Sequence, residues 1–529
     1  MSRPRRLAVI AGCIALLPGP IGAQSLPDGE FLLTRAERTD FRETTRYDEV
    51  MELAARVAQR SPDIHLTTMG YSTEGRPLPL LIVGAPDASA EAVRATGKTR
   101  VYLQGNIHAG EVPGKEALLI LLRRLSSGEY AAWTDSLVLL IAPIYNADGN
   151  ERIRLDNRPR QNGPIGGMGQ RPNAQGLDLN RDHTKLDSPE ARSLVRMLNQ
   201  YDPHAAVDLH TTNGTRHAYH LTYSPPLHPN TAGSIDAFLR DRWLPEVTAR
   251  IKEKHGWDFY YYGNAQRGDD GAQGWYTFDH RPRFNNSYLG LRNRMGILGE
   301  AYAYATFEDR VRATLWFVEE VLDFAQQNAT AVRVTVEEAD GESVVGRRLA
   351  LRAEHARSPE VTILMGEVEE ERNPFTGDVM FRRRNVSTPT RMAEFGTFQP
   401  TESAVAPEAY YILPDAENVI ERLEAHGVVV VRYAEPRQVK AEGFVVDSTA
   451  TAAREFQGHH ERTVWGHWAP VTTTAPAGTA WVSLDQPLGR LAFTLLEPRS
   501  DDGFTAWGFL DRQIEEGSFP VLRATAGGC

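Results

Sequence analysis

The chain has 529 residues, of which 41% are hydrophobic and 24% are charged. This composition is ordinary for a globular protein, but the length exceeds what one typical core organises, so we expect at least two domains. The formal net charge is −11, and the sequence contains no basic block. These features argue against nucleic acid and anionic membrane surfaces as partners, and they leave the oligomeric state open.

The N-terminus has the pattern of a secretory signal peptide. Arginines among the first six residues precede an apolar stretch, residues 7–23, which ends in small residues. We expect cleavage after Ala23 and a secreted or periplasmic protein, because the stretch is too short and too rich in proline to span a membrane. A lipoprotein cleavage site at Cys13 is the alternative, although it would leave a short apolar region. Cleavage after Ala23 would leave Cys529 as the sole cysteine, which excludes an intrachain disulfide.

Helices and strands are then predicted in turn. After a lead segment, residues 24–45, the apolar spacing of residues 47–60 predicts a helix. Residues 78–83 read as a strand and residues 88–96 as a helix or loop. Further on, Pro113 suits the first turn of another helix, where its missing N–H is no loss.

Four β-like runs end in polar groups that can carry chemistry. Residues 101–105 lead to His108 and Glu111, residues 136–145 to Asn146-Ala147-Asp148-Gly149, residues 205–209 to His210, and residues 296–299 to Glu300. Open α/β sheets bind their ligands at the carboxyl ends of the strands. We therefore expect these groups to form one shared site at one edge of a sheet.

Two long irregular stretches lie between these runs. Residues 157–176 are rich in Gly, Pro and Asn and precede a helix predicted for residues 188–200. Loops of this length in compact domains are usually functional or disordered. Residues 261–291 are aromatic and polar, and could wall a substrate cleft. An amphipathic helix over residues 310–327 would close the domain.

The character of the chain changes at residue 329. Short alternating runs, such as residues 332–336 and 361–365, indicate β-strands. We predict a separate β-rich α+β domain of unknown role over residues 329–529. It shows no catalytic constellation, and its tryptophans and histidines, such as His459, are expected to pack; a carbohydrate-binding face is the alternative.

One helix stands out in this C-terminal third. Residues 416–425 are predicted to form it, capped by Asp415 and ended by Gly427. A buried strand, residues 428–431, is expected to follow.

The pair His108 and Glu111 can bind one metal ion. An imidazole and a carboxylate three positions apart can both reach zinc, which takes N and O donors at about 2.0 to 2.2 Å. His210 completes a set of three ligands, leaving the fourth position to water. Asp178 can hold a ligand imidazole in the required tautomer. Other histidines compete as third ligand, but only His210 directly ends an apolar β run; the rivals are His183, His204 and His217.

With these motifs the chain resembles the carboxypeptidase A/B-like zinc metallocarboxypeptidase family. The shared elements are His-x-x-Glu at 108–111, the distant His210, Asp-x-Asn-Arg at 178–181, the late Glu300, Glu-Gly-Arg-Pro at 74–77 and Asn-x-Asp-Gly at 146–149. The resemblance covers about residues 46–327 and not the C-terminal third. It implies an α/β catalytic domain over residues 46–328, with a mixed β-sheet flanked by helices.

The resemblance also implies roles for individual residues. His108, Glu111 and His210 would bind one Zn²⁺, and Glu300 would act as the general base on a water activated by the zinc. Asn180 and Arg181 would clamp the terminal carboxylate of the substrate. An arginine after the Asn-x-Asp-Gly element would stabilise the oxyanion; Arg160 is preferred, with Arg158 close behind. The tyrosine that lines the family's pocket is not identified by a motif; the candidates are Tyr288, Tyr276 and Tyr302, with Tyr288 preferred.

Two of these assignments have structural alternatives, and the sequence departs from the family's motifs at two positions. Arg181 could merely pair with Asp182 or Asp187, and Glu190 or Glu308 could replace Glu300 as the acid. Gly110 stands where digestive members of the family carry an arginine, and Ala147 replaces the usual proline. The preference for the substrate's side chain is not predicted.

We therefore predict a secreted zinc metallocarboxypeptidase that removes C-terminal residues from peptides. A zinc amidase, deacylase or cell-wall peptide hydrolase on the same scaffold is the alternative. A non-catalytic peptide- or glycan-binding protein is a further one, but Glu300 argues against it, because silent members of the family commonly lack that acid.

Overall fold

A mixed β-sheet organises the first part of the computed structural model, which describes residues 32–212, 214–268 and 271–524. The predicted signal peptide and Cys529 lie outside these residues, so cleavage after Ala23 stays a prediction. In the part of the chain that is described, no helix is both long and apolar enough to cross a membrane.

Helices and strands follow one another up to residue 340. In chain order they are α1 (Arg35–Arg38), α2 (Tyr47–Arg60), β1 (Ile64–Tyr71), β2 (Pro77–Val83), α3 (Ala90–Ala95), β3 (Thr99–Gly105), α4 (Pro113–Ser126), β4 (Leu137–Ala142), α5 (Ala147–Glu151), α6 (Pro189–Tyr201), β5 (Ala205–Thr212), β6 (Leu221–Ser224), α7 (Gly233–Phe238), α8 (Leu244–His255), β7 (Phe259–Tyr261), β8 (Asn264–Arg267), β9 (Gln273–Tyr276), α9 (Asn285–Leu291), β10 (Met295–Tyr302), α10 (Phe307–Gln327) and α11 (Ala329–Asp340). Short 3-10 turns lie at Ala131–Asp135 and Leu179–Arg181, and a π-helical turn lies at Leu239–Trp243.

The central strands of the sheet run parallel. Within the described residues the sheet has eight strands in the order β1-β2-β4-β3-β5-β10-β6-β7. Strand β3 pairs in parallel with β4 and β5, and β5 with β10, whereas β1–β2, β2–β4 and β10–β6 are antiparallel. The carboxyl ends of β3, β4, β5 and β10 therefore meet at one edge. The predicted mixed α/β sheet is confirmed.

Local sequence explains where the helices near this edge begin. Pro113 occupies the first turn of α4, and the hydroxyl of Ser188 caps α6 by accepting a hydrogen bond from Ala191 N at 3.1 Å. The strands β3, β4 and β5 are buried along their whole length, as expected for parallel strands covered on both faces. Loops that leave this edge therefore start from a rigid base.

Strands dominate the remaining third. They are β11 (Arg348–Met365), β12 (Val368–Arg372), β13 (Val379–Arg383), β14 (Thr388–Val405), β15 (Ala409–Ile412), β16 (Val431–Arg432), β17 (Arg437–Thr451), β18 (Arg462–Ala475), β19 (Ala480–Ser483) and β20 (Val521–Ala524), with helices α12 (Glu417–His426), α13 (Gly489–Leu496) and α14 (Asp511–Glu515) and a 3-10 turn at Pro414–Ala416. One sheet has the order β11-β14-β9-β8, β12 pairs with β13, and another sheet has the order β16-β19-β15-β20-β17-β18. The predicted β-rich α+β character is confirmed.

The prediction of a strand at residues 332–336 is wrong, because these residues belong to the helix α11. Ala329, Val332, Val336 and Ala339 are its buried residues. Their spacing of three and four positions places them on one helical face. The alternation of valine with polar residues over a shorter window resembled a strand by coincidence.

Two details around α12 also differ from the prediction. Asp415 lies in the preceding 3-10 turn and does not cap the helix, whereas Gly427 ends it in the left-handed conformation, with φ 86°. The expected buried strand at residues 428–431 is reduced to β16, and Val429 is 62% exposed. Val428 is buried in the core and Val430 packs against it only partly buried, so apolar composition alone overstated the burial of the run.

The apolar core is continuous across residue 328. Leu209 of the central sheet, Val332 of α11 and Leu491 of α13 belong to one cluster of buried side chains. In addition, β14 pairs in parallel with β9, so the C-terminal third extends a sheet that starts within residues 261–291. A domain boundary at 328 stays a prediction.

Candidate metal centre and active site

The three predicted metal ligands meet at the carboxyl edge of the central sheet. His108 and Glu111 lie on the loop between β3 and α4, and His210 lies near the end of β5. Their donor atoms all lie within 4.8 Å of one another, and all three side chains are buried. The carboxylate of Glu111 lies between the two rings, 3.1 Å from Nδ1 of His108 and 2.9 Å from Nδ1 of His210.

Two aspartates orient the imidazoles from outside. Nε2 of His108 lies 2.9 Å from Asp178 Oδ1, and Nε2 of His210 lies 2.8 Å from Asp208 Oδ2. With the Nε2 protons donated to these carboxylates, both Nδ1 atoms, which lie against Glu111, can offer their lone pairs to a metal ion; Nδ1 of His108 has no hydrogen-bond partner among the described residues. Two oriented imidazoles and a carboxylate fit the donor set of catalytic zinc. Asp208 was missed, although its position two residues before His210 puts both on one face of the strand.

Glu300 lies beside this group on the neighbouring strand. In the pairing of β10 with β5 it is the register partner of His210, and its Oε2 atom is buried without a hydrogen-bond partner among the described residues. Burial raises the pKa of Glu300 to about 8; His210 and Arg171 oppose this rise and Glu111 adds to it. Burial would raise the pKa of Glu111 also, but His108 and Arg158 hold it well below its usual value.

A cleft of about 140 Å³ brings the three predicted metal ligands and Glu300 together with the predicted carboxylate clamp. Asn180 and Arg181 line it together with the metal ligands and Glu300. The guanidinium of Arg181 lies over the ring of Phe284, 3.9 Å from its centroid, and Asn180 Oδ1 accepts a hydrogen bond from Asn285 N.

The predicted rivals have other partners. Asp182 and Asp187 pair with Lys185 rather than with Arg181. Glu190 accepts hydrogen bonds from Thr73. The other histidines considered as third ligand also have partners elsewhere: His204 is hydrogen bonded to Arg100 N, His183 is hydrogen bonded to Arg283 O, and the ring of His217 packs against Tyr302. Glu308, an alternative to Glu300, is ion-paired with Arg312.

The arginine preferred for the oxyanion does not line this cleft. Arg160 lies against Phe381 and lines a different cavity, and Arg158 donates to Glu111 Oε1 at 2.7 Å. Arg171 lines the cleft instead. It is held by Asp178, with Nε 2.9 Å from Oδ2, and its Nη1 lies 3.7 Å from Glu111 Oε1. The irregular loop carries several arginines, and only its folded path decides which one turns inward.

The tyrosine choice also needs correction. Tyr288 is fully buried, and its hydroxyl is hydrogen bonded to His426 Nδ1 at 2.8 Å. Tyr276 stacks on Phe395, and Tyr302 packs against His217. The tyrosine that lines the cleft is Tyr262, next to Phe278 and Phe284. Burial raises the pKa of Tyr262 to about 12, so its hydroxyl keeps its proton at neutral pH.

The remaining motifs support the site from behind. Arg76 of the Glu-Gly-Arg-Pro element pairs with Asp148 of the Asn-x-Asp-Gly element at 2.6 Å. Gly110 makes room for Arg158, since a Cβ there would lie 3.1 Å from Arg158 Nε and 2.7 Å from Gly169 O. The glycine at position 110 therefore leaves space for Arg158, which approaches from the irregular loop of residues 157–176.

Comparison with known proteins agrees with this geometry. Residues 50–277 match the family model described as zinc carboxypeptidase. Carboxypeptidase 2 of Trichophyton rubrum is 24% identical over 506 residues, which cover 90% of this chain and 86% of that protein. Carboxypeptidase D of Mus musculus is 35% identical over 180 residues, which cover 29% of this chain and 13% of that protein.

Solved structures with a related fold include a metallo-carboxypeptidase from Burkholderia cenocepacia. It has a TM-score of 0.40 and 15% identity, and the match covers 54% of this chain and 70% of that one. The family match coincides with the part of the chain that carries the His-Glu-His group. Residues 50–277 of the chain therefore match a zinc carboxypeptidase domain, which indicates a peptidase hydrolase.

Proposed function

We propose that this protein is a zinc-dependent metallocarboxypeptidase that removes single residues from the C-terminus of peptides. The observation that carries the proposal is the content of one small cleft: Arg181 lines the same cavity as the His-Glu-His group and Glu300. A fixed cation so close to the ligands suits a substrate whose scissile bond lies next to its terminal carboxylate.

His108, Glu111 and His210 would hold the zinc ion. When bound, zinc supplies a Lewis acid that polarises the scissile carbonyl and makes water a better acid. Asp178 and Asp208 keep the ligand imidazoles in the orientation that binding needs.

The chain's own residues provide the other steps of hydrolysis. Arg181 and Asn180 bind the terminal carboxylate and set the register of the peptide. Glu300 accepts a proton from the attacking water and returns it to the nitrogen of the leaving amino acid as the C–N bond breaks. Arg171 is our choice for stabilising the negative oxygen that forms on the scissile carbonyl, because it lines the cleft and already faces Glu111.

Product analysis tests the proposed reaction. Incubation with a peptide mixture should give ladders that differ by single C-terminal residues, and amidation of the C-terminus should slow hydrolysis strongly because Arg181 loses its charged partner. Mass spectrometry of the products checks both outcomes. Internal cleavage, release of acyl groups only, or equal rates on amidated peptides would contradict the proposal and favour an amidase, a deacylase or a cell-wall hydrolase.

The Glu300→Gln variant tests the role of the base. Turnover should fall by roughly 10²- to 10⁴-fold, the usual contribution of a general acid–base group. The zinc content, measured by elemental analysis, should stay at that of the parent protein, because Glu300 is not one of the three ligands. Turnover that persists at the parent rate would remove Glu300 from the mechanism.

A further inference from the structure

Another cavity, of about 560 Å³, is lined by Arg158, which donates a hydrogen bond to Glu111 in the wall of the metal cleft. Its lining combines arginines with aromatic rings: Arg158, Arg160, Arg216, Tyr304 and Phe381. Phe381 belongs to β13, so the C-terminal third contributes one wall of this cavity. We refer to it as the arginine cavity.

Two cations in the arginine cavity have no acidic partner among the described residues. Arg160 and Arg216 are exposed, and their guanidinium groups lie 5.9 and 5.4 Å from the centroid of the Phe381 ring. An aromatic ring at this distance holds guanidinium groups in place without neutralising them. The cavity is therefore pre-organised for anionic ligands.

No acidic residue lines the cavity in the described part of the chain, and two of the glutamates on the strand opposite Phe381 or just before it are ion-paired, whereas Glu370, the register partner of Phe381, is exposed. On β12, Glu371 pairs with Arg382, and Glu367 just before it pairs with Arg384. Glu111 lies beyond Arg158 and shares its charge with the two ligand histidines as well as with that arginine. Within the described residues the lining of the cavity is thus positive, whereas the whole chain carries a net charge of −11.

Two strands that carry residues of the metal cleft are followed by residues of the arginine cavity. His210 of β5 and Glu300 of β10 line the cleft, whereas Gly214 and Tyr304, just beyond the ends of these strands, line the cavity. Four residues of extended chain cover at most about 13 Å. A substrate segment of two to four residues spans the same distance.

The orientation of the substrate follows from the proposed function. Its terminal carboxylate would bind at Arg181, and its scissile carbonyl would lie near Glu111 and Glu300. The peptide on the amino-terminal side of the scissile bond must then leave the cleft away from Arg181, and the cavity that adjoins Glu111 through Arg158 is open to it.

We propose that the arginine cavity binds acidic side chains that precede the scissile bond, so that peptides with acidic residues near the C-terminus are the preferred substrates. This inference rests on the proposed carboxypeptidase activity. Carboxylates match the paired donor geometry of guanidinium groups, and lysine-rich segments would be repelled.

A matched pair of peptides tests this preference. The two peptides share the C-terminal residue and differ only in carrying Glu or Gln at the second to fourth positions before the scissile bond. We expect kcat/KM to be about tenfold higher for the Glu peptide, equivalent to about 1.4 kcal/mol, and the ratio to shrink as salt is raised.

The Arg216→Gln variant tests the cavity itself. It should bring the Glu/Gln ratio of kcat/KM close to one, because it removes a cation that has no structural ion pair in the described chain. The control is Arg391→Gln, which changes an exposed arginine of β14 paired with Glu360; it should keep the parent ratio. An unchanged ratio in Arg216→Gln, or no preference in the parent protein, would overturn the assignment of the cavity.

Failure of the proposed activity is distinguishable from failure of this inference. If neither peptide loses its C-terminal residue, the carboxypeptidase proposal fails, and calorimetric titration with the two uncleaved peptides then measures the cavity directly. Tighter binding of the Glu peptide, lost in Arg216→Gln, would support the proposal that the cavity binds acidic side chains. Equal binding of both peptides would refute that proposal. If both peptides are cleaved at equal rates, only the inference about acidic substrates is wrong.

Discussion

Arg171 is held in the metal cleft by the same aspartate that orients His108, a predicted metal ligand. Asp178 accepts hydrogen bonds from His108 Nε2 through one oxygen and from Arg171 Nε through the other. One carboxylate thus positions both an imidazole and a guanidinium. This sharing explains why an exposed loop residue can have a defined place in the cleft.

Replacing Arg171 should impair the chemical step. We expect Arg171→Met to lower kcat by roughly 10²- to 10³-fold, the usual cost of losing one donor to a developing oxyanion, while zinc content is kept. Arg160→Met, measured on a neutral peptide, should cost far less, because Arg160 lies outside the metal cleft. Steady-state kinetics and elemental analysis of the two variants measure these effects. A larger loss of kcat in Arg160→Met than in Arg171→Met would assign the stabilisation of the oxyanion to Arg160.

At the scale of elements, the site depends on close contact between α4 and β5. Gly114, in the first turn of α4, faces Leu209, the residue before His210. A Cβ on Gly114 would lie 2.6 Å from Leu209 Cβ and 3.1 Å from its carbonyl oxygen. Since α4 follows directly on Glu111, this contact fixes the distance between two parts of the metal site.

Gly114→Ala should therefore destabilise the protein and loosen the metal. We expect a loss of about 1–3 kcal/mol, the typical cost of overpacking a core, with a lower affinity for zinc. Urea unfolding and competition with a chelator measure the two effects. Gly233→Ala in α7 is the control, because a Cβ there meets nothing within 4 Å; its stability should be equal or slightly higher. Equal behaviour of the two variants would show that the contact is not tight.

At the scale of the whole molecule, the C-terminal third supports the loops of the site. Asp502 accepts hydrogen bonds from the backbone N and the Nε of Arg283, the residue before Phe284 in the cleft wall. Gln457 Oε1 accepts a hydrogen bond from Asp178 N. The C-terminal third therefore holds Arg283, the neighbour of the cleft residue Phe284, and Asp178, the partner of His108 and Arg171.

Loss of the buried pair should affect both stability and activity. Asp502→Ala leaves the guanidinium of Arg283 buried with a single, half-exposed carboxylate partner, Glu461, and we expect it to cost about 3–5 kcal/mol and to lower kcat/KM. Asp447→Ala, at an exposed aspartate beside His467, should change stability by less than about 0.5 kcal/mol. Because the core is continuous, both variants should unfold in a single transition in urea. Separate transitions for the two regions would instead support independent domains.

Local sequence was sufficient to predict helices that are marked by apolar spacing or by a residue at their first turn. The helix α2 has the bounds that its apolar spacing predicts, and Pro113 and Ser188 mark the starts of α4 and α6. By contrast, α11 was missed because a window of five residues does not separate strand alternation from one helical face.

The sequence by itself determined the groups that meet at the carboxyl edge, because strand ends and motif spacing confine His108, Glu111, His210 and Glu300 to that place. Only the tertiary structure decided that Arg171 and Tyr262, rather than Arg160 and Tyr288, line the cleft, and that Asp208 and Asp502 support it. The physical reason is that irregular loops and contacts between distant segments obey no period along the chain. Their side chains are directed by packing against residues up to hundreds of positions away.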